Sequence, residues 1–118
     1  MFEALRLAAT RMPPDVETAL RDALADESEP LARQHLEVSL DNARRAAAGQ
    51  GLVCADTGFP LFFISIGNGT EVEGGFGALQ KAAEAATARA TKESFLRPTM
   101  VDPISRRNPG TNVGSGMP

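Results

Sequence analysis

The chain has 118 residues, a formal net charge of −3, 42% hydrophobic and 5% aromatic residues, and a single cysteine. This is enough for one small domain with a modest core, built from aliphatic residues, alanine and six phenylalanines because tryptophan and tyrosine are absent. The acidic balance argues against a nucleic-acid surface, which needs a basic patch, and one cysteine cannot form an internal disulfide, which points to a reducing cytoplasm.

The N-terminal "MFEALRLAATRMPPD" is interrupted by Glu3, Arg6 and Arg11 and has no cleavage pattern of a signal peptide. No run in the chain approaches the ~20 apolar residues of a membrane span. Met1 to Arg11 reads as a short amphipathic helix stopped by Pro13 and Pro14. A second helix begins at Asp15, with Val16, Leu20, Ala23 and Leu24 at helical spacing. Ser28 is the expected N-cap of a third helix, with Pro30 in its first turn. That helix runs from about Pro30 to Ala48, places Leu36, Leu40, Ala43 and Ala47 on one face, and is broken by Gly49 to Gly51.

From Leu52 the pattern changes. "LFFISI" is β-branched and aromatic and reads as a buried strand. "GNGTEVEGG" reads as a loop or tight turn, and a fourth helix is predicted from about Phe76 to Lys92, with Phe76, Leu79, Ala83, Ala86 and Ala90 on one side. The expected fold class is therefore α+β: helices, a short sheet, a turn bearing the cysteine and a further helix. Residues 1–97 form the expected domain. Residues 98–118 are a Pro/Gly-rich loop with no periodicity, which reads as a mobile tail or as a segment held by contacts outside the chain.

The chemistry-bearing stretch is "GLVCADTGFP". Taken alone, Cys54 reads as a small buried hydrophobe and "ADTG" as a plain connection. The "DTG" triplet also occurs in aspartic proteases, but those need an all-β context that a helical first half does not supply. A third reading uses the thiol. Thiolates bind iron–sulfur clusters, and an iron left without a protein ligand can polarise a substrate hydroxyl or carboxylate. Asp56, two residues from Cys54, is placed for proton transfer beside such an iron, and Gly58 lets backbone approach closely. One cysteine cannot hold a cluster, so this reading needs two more from elsewhere.

The segments "TRMPPDVETAL", "LDNARRAAAGQGLVCADTG" and "FLRPTMVDPISRRNPGTNVGSGMP" together resemble the N-terminal part of the class I fumarase and L(+)-tartrate dehydratase α-subunit family, over nearly the whole chain. The resemblance implies a hydro-lyase with a 4Fe–4S cluster on three cysteines, acting on a small dicarboxylate (fumarate/malate or tartrate/oxaloacetate). It implies that this chain is a piece of a larger α-subunit, working with the remainder of that subunit, with a β-subunit or fused β domain, and as an oligomer. By the same resemblance Cys54 is the first cluster ligand, Asp56 a proton-transfer residue in the substrate pocket, and Arg97 the clamp for a substrate carboxylate. The last role suits a guanidinium fork on the extended backbone that Pro98 favours.

The chain departs from the family at Ala55, where the family usually has a glutamine that resembles a substrate-contacting group. It also lacks the other two cluster cysteines. A non-catalytic docking module of the same family is the alternative reading. His35 has no partner at metal-ligand spacing and reads as structural or exposed. Arg106 and Arg107 read as a solvated loop, and Asn112 carries no assignable role.

Overall fold

A computed structural model describes residues 1–54 and 59–114. It contains four α-helices: α1 (Phe2–Thr10), α2 (Pro14–Asp26), α3 (Pro30–Ala47) and α4 (Phe76–Lys92). Two compact units form, one of residues 1–6 with 56–118 and one of residues 7–55.

Within the unit of residues 7–55, α2 and α3 form a packed pair. Both helices begin with proline at the first helical position, where the missing N–H costs nothing. Asp15 and Glu17 in the first turn of α2, and Arg44 and Arg45 in the last turn of α3, match the helix dipole. The reversal between them is held by side chains. Arg33 donates Nη1 to the carbonyls of Leu24 and Glu27, both at 2.8 Å, and so satisfies orphan acceptors at the end of α2. Glu29, not Ser28, caps α3, its carboxylate accepting from the Ala32 N–H at 2.6 Å. Ser28 stands one residue too early, because the helix starts at Pro30 and the residue just before it takes the cap.

In the other unit, α4 carries the buried positions Ala86, Thr87, Ala90 and Thr91. Gly74 and Gly75 precede it with φ of +76° and +72°, backbone that side chains rarely adopt. Its C-terminal end closes on a left-handed residue, Ser94, with Phe95 N–H donating to Ala90 O at 2.9 Å and Ser94 N–H to Thr91 O at 3.1 Å. This pattern satisfies the last carbonyls and sets Phe95 edge-on to Phe2, ring centroids 5.9 Å apart. Arg89 covers the other side of Phe2, its guanidinium carbon 3.7 Å from the ring centroid.

The expected short sheet is absent: the described residues contain no strand, and the α+β reading is corrected to helices joined by irregular chain. The physical reason is local. "LFFISI" has strand composition, but a strand exists only where a neighbour completes its ladder, and no backbone of the described residues pairs with it.

Residues 98–114 are irregular, yet they are tied down within their own unit, contrary to a mobile tail. Asn108 donates Nδ2 to Pro98 O at 2.6 Å and accepts from Gly110 N–H at 2.7 Å. Asp102 closes a turn, its Oδ1 accepting from Ser105 N–H at 2.6 Å and Ile104 N–H at 3.1 Å. Bonding from Ser105, first through its backbone N–H, holds the Asp102 carboxyl below its ordinary value of 3.8. A carboxyl with a lowered folded-state pKa contributes stability that is complete above its unfolded value and fades as pH falls through the folded one. Amide exchange at Ile104 and Ser105 should therefore be flat with acidification down to about pH 4, after correction for intrinsic rates, and should accelerate below it. In Asp102→Asn the same acid step should vanish.

Candidate functional site

The site is built from the end of α3 outward. Gly49 takes φ +77° just beyond the helix, the left-handed conformation that suits glycine. The Gln50 N–H then reaches Arg45 O at 2.9 Å and the Gly49 N–H reaches Ala46 O at 3.0 Å. This double closure turns the chain sharply off the helix. The next residues are fixed from two sides in the same unit. The Val53 N–H donates to Ala9 O at 2.9 Å, and Asn42 on α3 donates Nδ2 to the carbonyls of Leu52 and Val53 at 3.1 and 3.0 Å.

Cys54 therefore leaves a clamped backbone, and it is exposed. The reading as a buried small hydrophobe is not what the fold adopts. The cationic pair nearby in sequence is already engaged. Asp41 bonds both Arg45, at 2.5 Å, and Arg44, and the Arg45 and Arg44 guanidiniums hold its carboxyl below the ordinary range.

Asp56, with Ala55 and Gly58, lies outside the described residues. Arg97 belongs to the other unit, where its side chain is exposed. Its backbone is held by Asn112, whose Nδ2 donates to Arg97 O at 2.5 Å. The same Asn112 accepts at Oδ1 from Thr99 N–H at 2.8 Å and Met100 N–H at 3.0 Å, and donates to Thr91 Oγ1 at 3.2 Å. Only 1% of its surface is exposed. One amide thus ties the "RPTM" segment to α4 and sets the direction in which Arg97 leaves the fold.

Two positioning residues escaped the sequence reading, Asn42 and Asn112. Asn42 stands ten residues before the backbone it holds, and Asn112 stands 12 to 21 residues from its partners. The one local signal is an asparagine at φ +55° in a Pro/Gly-rich loop, which marks a turn but not a keystone. His35 is exposed on α3. The described residues contain no group of three His, Cys, Asp or Glu able to hold a metal ion.

The family described as Fumarate hydratase (Fumerase) matches residues 1–118. The chain belongs to that family. An L(+)-tartrate dehydratase subunit alpha from Escherichia coli is 30% identical over 112 residues, covering 95% of this chain. A Methanocaldococcus jannaschii protein provisionally named L(+)-tartrate dehydratase subunit alpha is 34% identical over 118 residues. A Geobacillus stearothermophilus protein provisionally named fumarate hydratase class I is 30% identical over 120 residues. The chain spans 36%, 41% and 22% of these relatives' lengths, respectively. No helix of the described residues is long and apolar enough to cross a membrane.

Proposed function

We propose that this member of the fumarate hydratase family supplies one cluster ligand, one proton-transfer group and one carboxylate clamp to an iron–sulfur hydro-lyase. The complete enzyme would reversibly add or remove water on a dicarboxylic acid, fumarate/malate or tartrate/oxaloacetate. The observation that carries this reading is the match along the whole chain to a family whose relatives are named fumarate hydratase and tartrate dehydratase. The exposed Cys54 on a clamped backbone supports it, because a ligand thiol must reach a group outside its own core.

The donor set fits one corner of a 4Fe–4S cluster. Cys54 is the single thiol of the sequence, so the other two thiolates would come from polypeptide outside these residues. When bound, such a cluster supplies an iron with an open position that polarises a hydroxyl or carboxylate. Of this chain's residues, Cys54 would hold the cluster, Asp56 would move a proton at the carbon that gains or loses it, and Arg97 would grip a carboxylate with two parallel N–H bonds and fix the substrate's tilt. A β-subunit or fused β domain would complete the assembly, as the name "subunit alpha" of the relatives suggests.

The 118-residue chain by itself should hold no stoichiometric cluster and hydrate no dicarboxylate, while Cys54 should label rapidly with a thiol reagent under native conditions. Iron, sulfide and labelling assays on the purified chain check both. For the complete enzyme, a dicarboxylate screen after anaerobic reconstitution tests the reading. Hydration of fumarate or dehydration of tartrate supports it, and a reconstituted enzyme inert on every dicarboxylate would sink it.

A further inference from the structure

Asn42 sits on α3 upstream of the helix end at Ala47, and the chain that turns off at Gly49 passes back beside its side chain. Both atoms it meets there are acceptors, the carbonyl oxygens of Leu52 and Val53 at 3.1 and 3.0 Å. Only the amide nitrogen can answer them, and it carries a donor hydrogen for each. In an extended strand successive residues face opposite ways. Two successive carbonyls that converge on one nitrogen therefore require a bend, and the chain bends at Val53.

That bend fixes the place of the cysteine. A peptide unit is planar and includes the α-carbons on either side of it. The unit joining Leu52 to Val53 is held at both polar groups: its carbonyl accepts from Asn42, and its N–H donates to Ala9 O at 2.9 Å. The unit joining Val53 to Cys54 is held at its carbonyl, again by Asn42. Its far α-carbon is that of Cys54. One side chain thus holds two consecutive peptide planes, up to the carbon that bears the thiol.

We propose that Asn42 is a positioning residue for the Cys54 thiolate, and that its amide governs how firmly a cluster is retained at that corner. The proposal rests on the reading of Cys54 as a cluster ligand. Metal–ligand bonds tolerate only about 0.2 Å of error, and the groups that orient a ligand matter nearly as much as the ligand itself. The stability of the fold is a poor account of these bonds. Asn42 is exposed, and water replaces an exposed hydrogen bond at small cost. The effect of the amide is local, on the direction in which Cys54 leaves the backbone.

Three variants test this. Asn42→Ala removes the amide, Asn42→Asp keeps its outline but offers only acceptors, and Asn42→Gln keeps the donors on a longer stem. In the 118-residue chain, amide exchange at Val53 should accelerate severalfold in Asn42→Ala and Asn42→Asp and less in Asn42→Gln, with all three melting temperatures within about 4 °C of wild type. In the complete enzyme reconstituted anaerobically, an iron chelator should bleach the visible absorption of the cluster roughly tenfold faster in Asn42→Ala and Asn42→Asp, with Asn42→Gln between them and wild type. Unchanged exchange at Val53 overturns the proposal and leaves the role of Cys54 untouched. So do chelation rates equal to wild type, or rates that follow side-chain size and leave Asn42→Asp at wild type. A wild-type enzyme that takes up no cluster, or a Cys54→Ser enzyme that keeps it, overturns the reading of Cys54 and the proposal with it.

Discussion

Replacing Asn112 with alanine should destabilise the chain by about 4 kcal/mol and lower its melting temperature by roughly 15 °C. The side chain makes four hydrogen bonds while 99% buried, calculated from its 1% exposure. Truncation strands the N–H groups of Thr99 and Met100 and the carbonyl of Arg97, all of them in part-buried bonds, so each costs about 1 kcal/mol, the low end of the range for a buried polar group left unpaired. Alanine also tolerates the φ of +55° poorly, adding about 1 kcal/mol. Two further variants divide the effect. Asn112→Gly removes the backbone penalty but not the orphaned groups, so it should recover only about 1 kcal/mol. Asn112→Asp keeps the acceptor for Thr99 and Met100 but sets a carboxylate oxygen against Arg97 O, and should be as damaging as alanine. Thermal and urea unfolding check the series. A melting temperature within about 3 °C of wild type for Asn112→Ala would show that the segment is not anchored through this residue.

That residue also marks where sequence reading stops. The helices were legible because each is specified by neighbours: prolines at the starts of α2 and α3, apolar residues at helical spacing in α4, and glycine after α3. The exposure of Cys54 was not legible from its own neighbours, among which it reads as a small buried hydrophobe, because the backbone before it is held by Asn42 and Ala9, partners that spacing does not reveal. Nor was the absence of the strand, because composition states what "LFFISI" can do and not whether a neighbour exists to pair with it. The order in residues 98–114 was not legible either. It rests on side-chain amides and carboxylates reaching partners that spacing does not reveal, and the same holds for Asn42 behind Cys54.

The second large effect concerns Arg97. In the complete enzyme, Arg97→Lys should lower kcat/KM roughly 30- to 150-fold, about 2–3 kcal/mol of transition-state stabilisation. Lysine keeps the charge but loses the planar fork that holds a carboxylate at two points. A substrate free to tilt spends less time in reactive alignment, so kcat falls together with affinity. The bond that Asn112 Nδ2 donates to Arg97 O is accepted by the main-chain carbonyl and survives the substitution. Unfolding of the variant should therefore match wild type while its kinetics do not. Steady-state assays at matched cluster content separate the two possibilities, and an unchanged kcat/KM would make Arg97 a surface arginine.

The most direct measurement is the iron and sulfide content of the complete enzyme after anaerobic reconstitution, wild type beside Cys54→Ser. If Cys54 is a cluster ligand, wild type takes up a 4Fe–4S complement with dicarboxylate hydration or dehydration activity, and Cys54→Ser loses most of the cluster and the activity with it. A Cys54→Ser enzyme holding the full complement of iron and sulfide at undiminished activity would contradict the assignment and remove this chain from the cluster's ligand set.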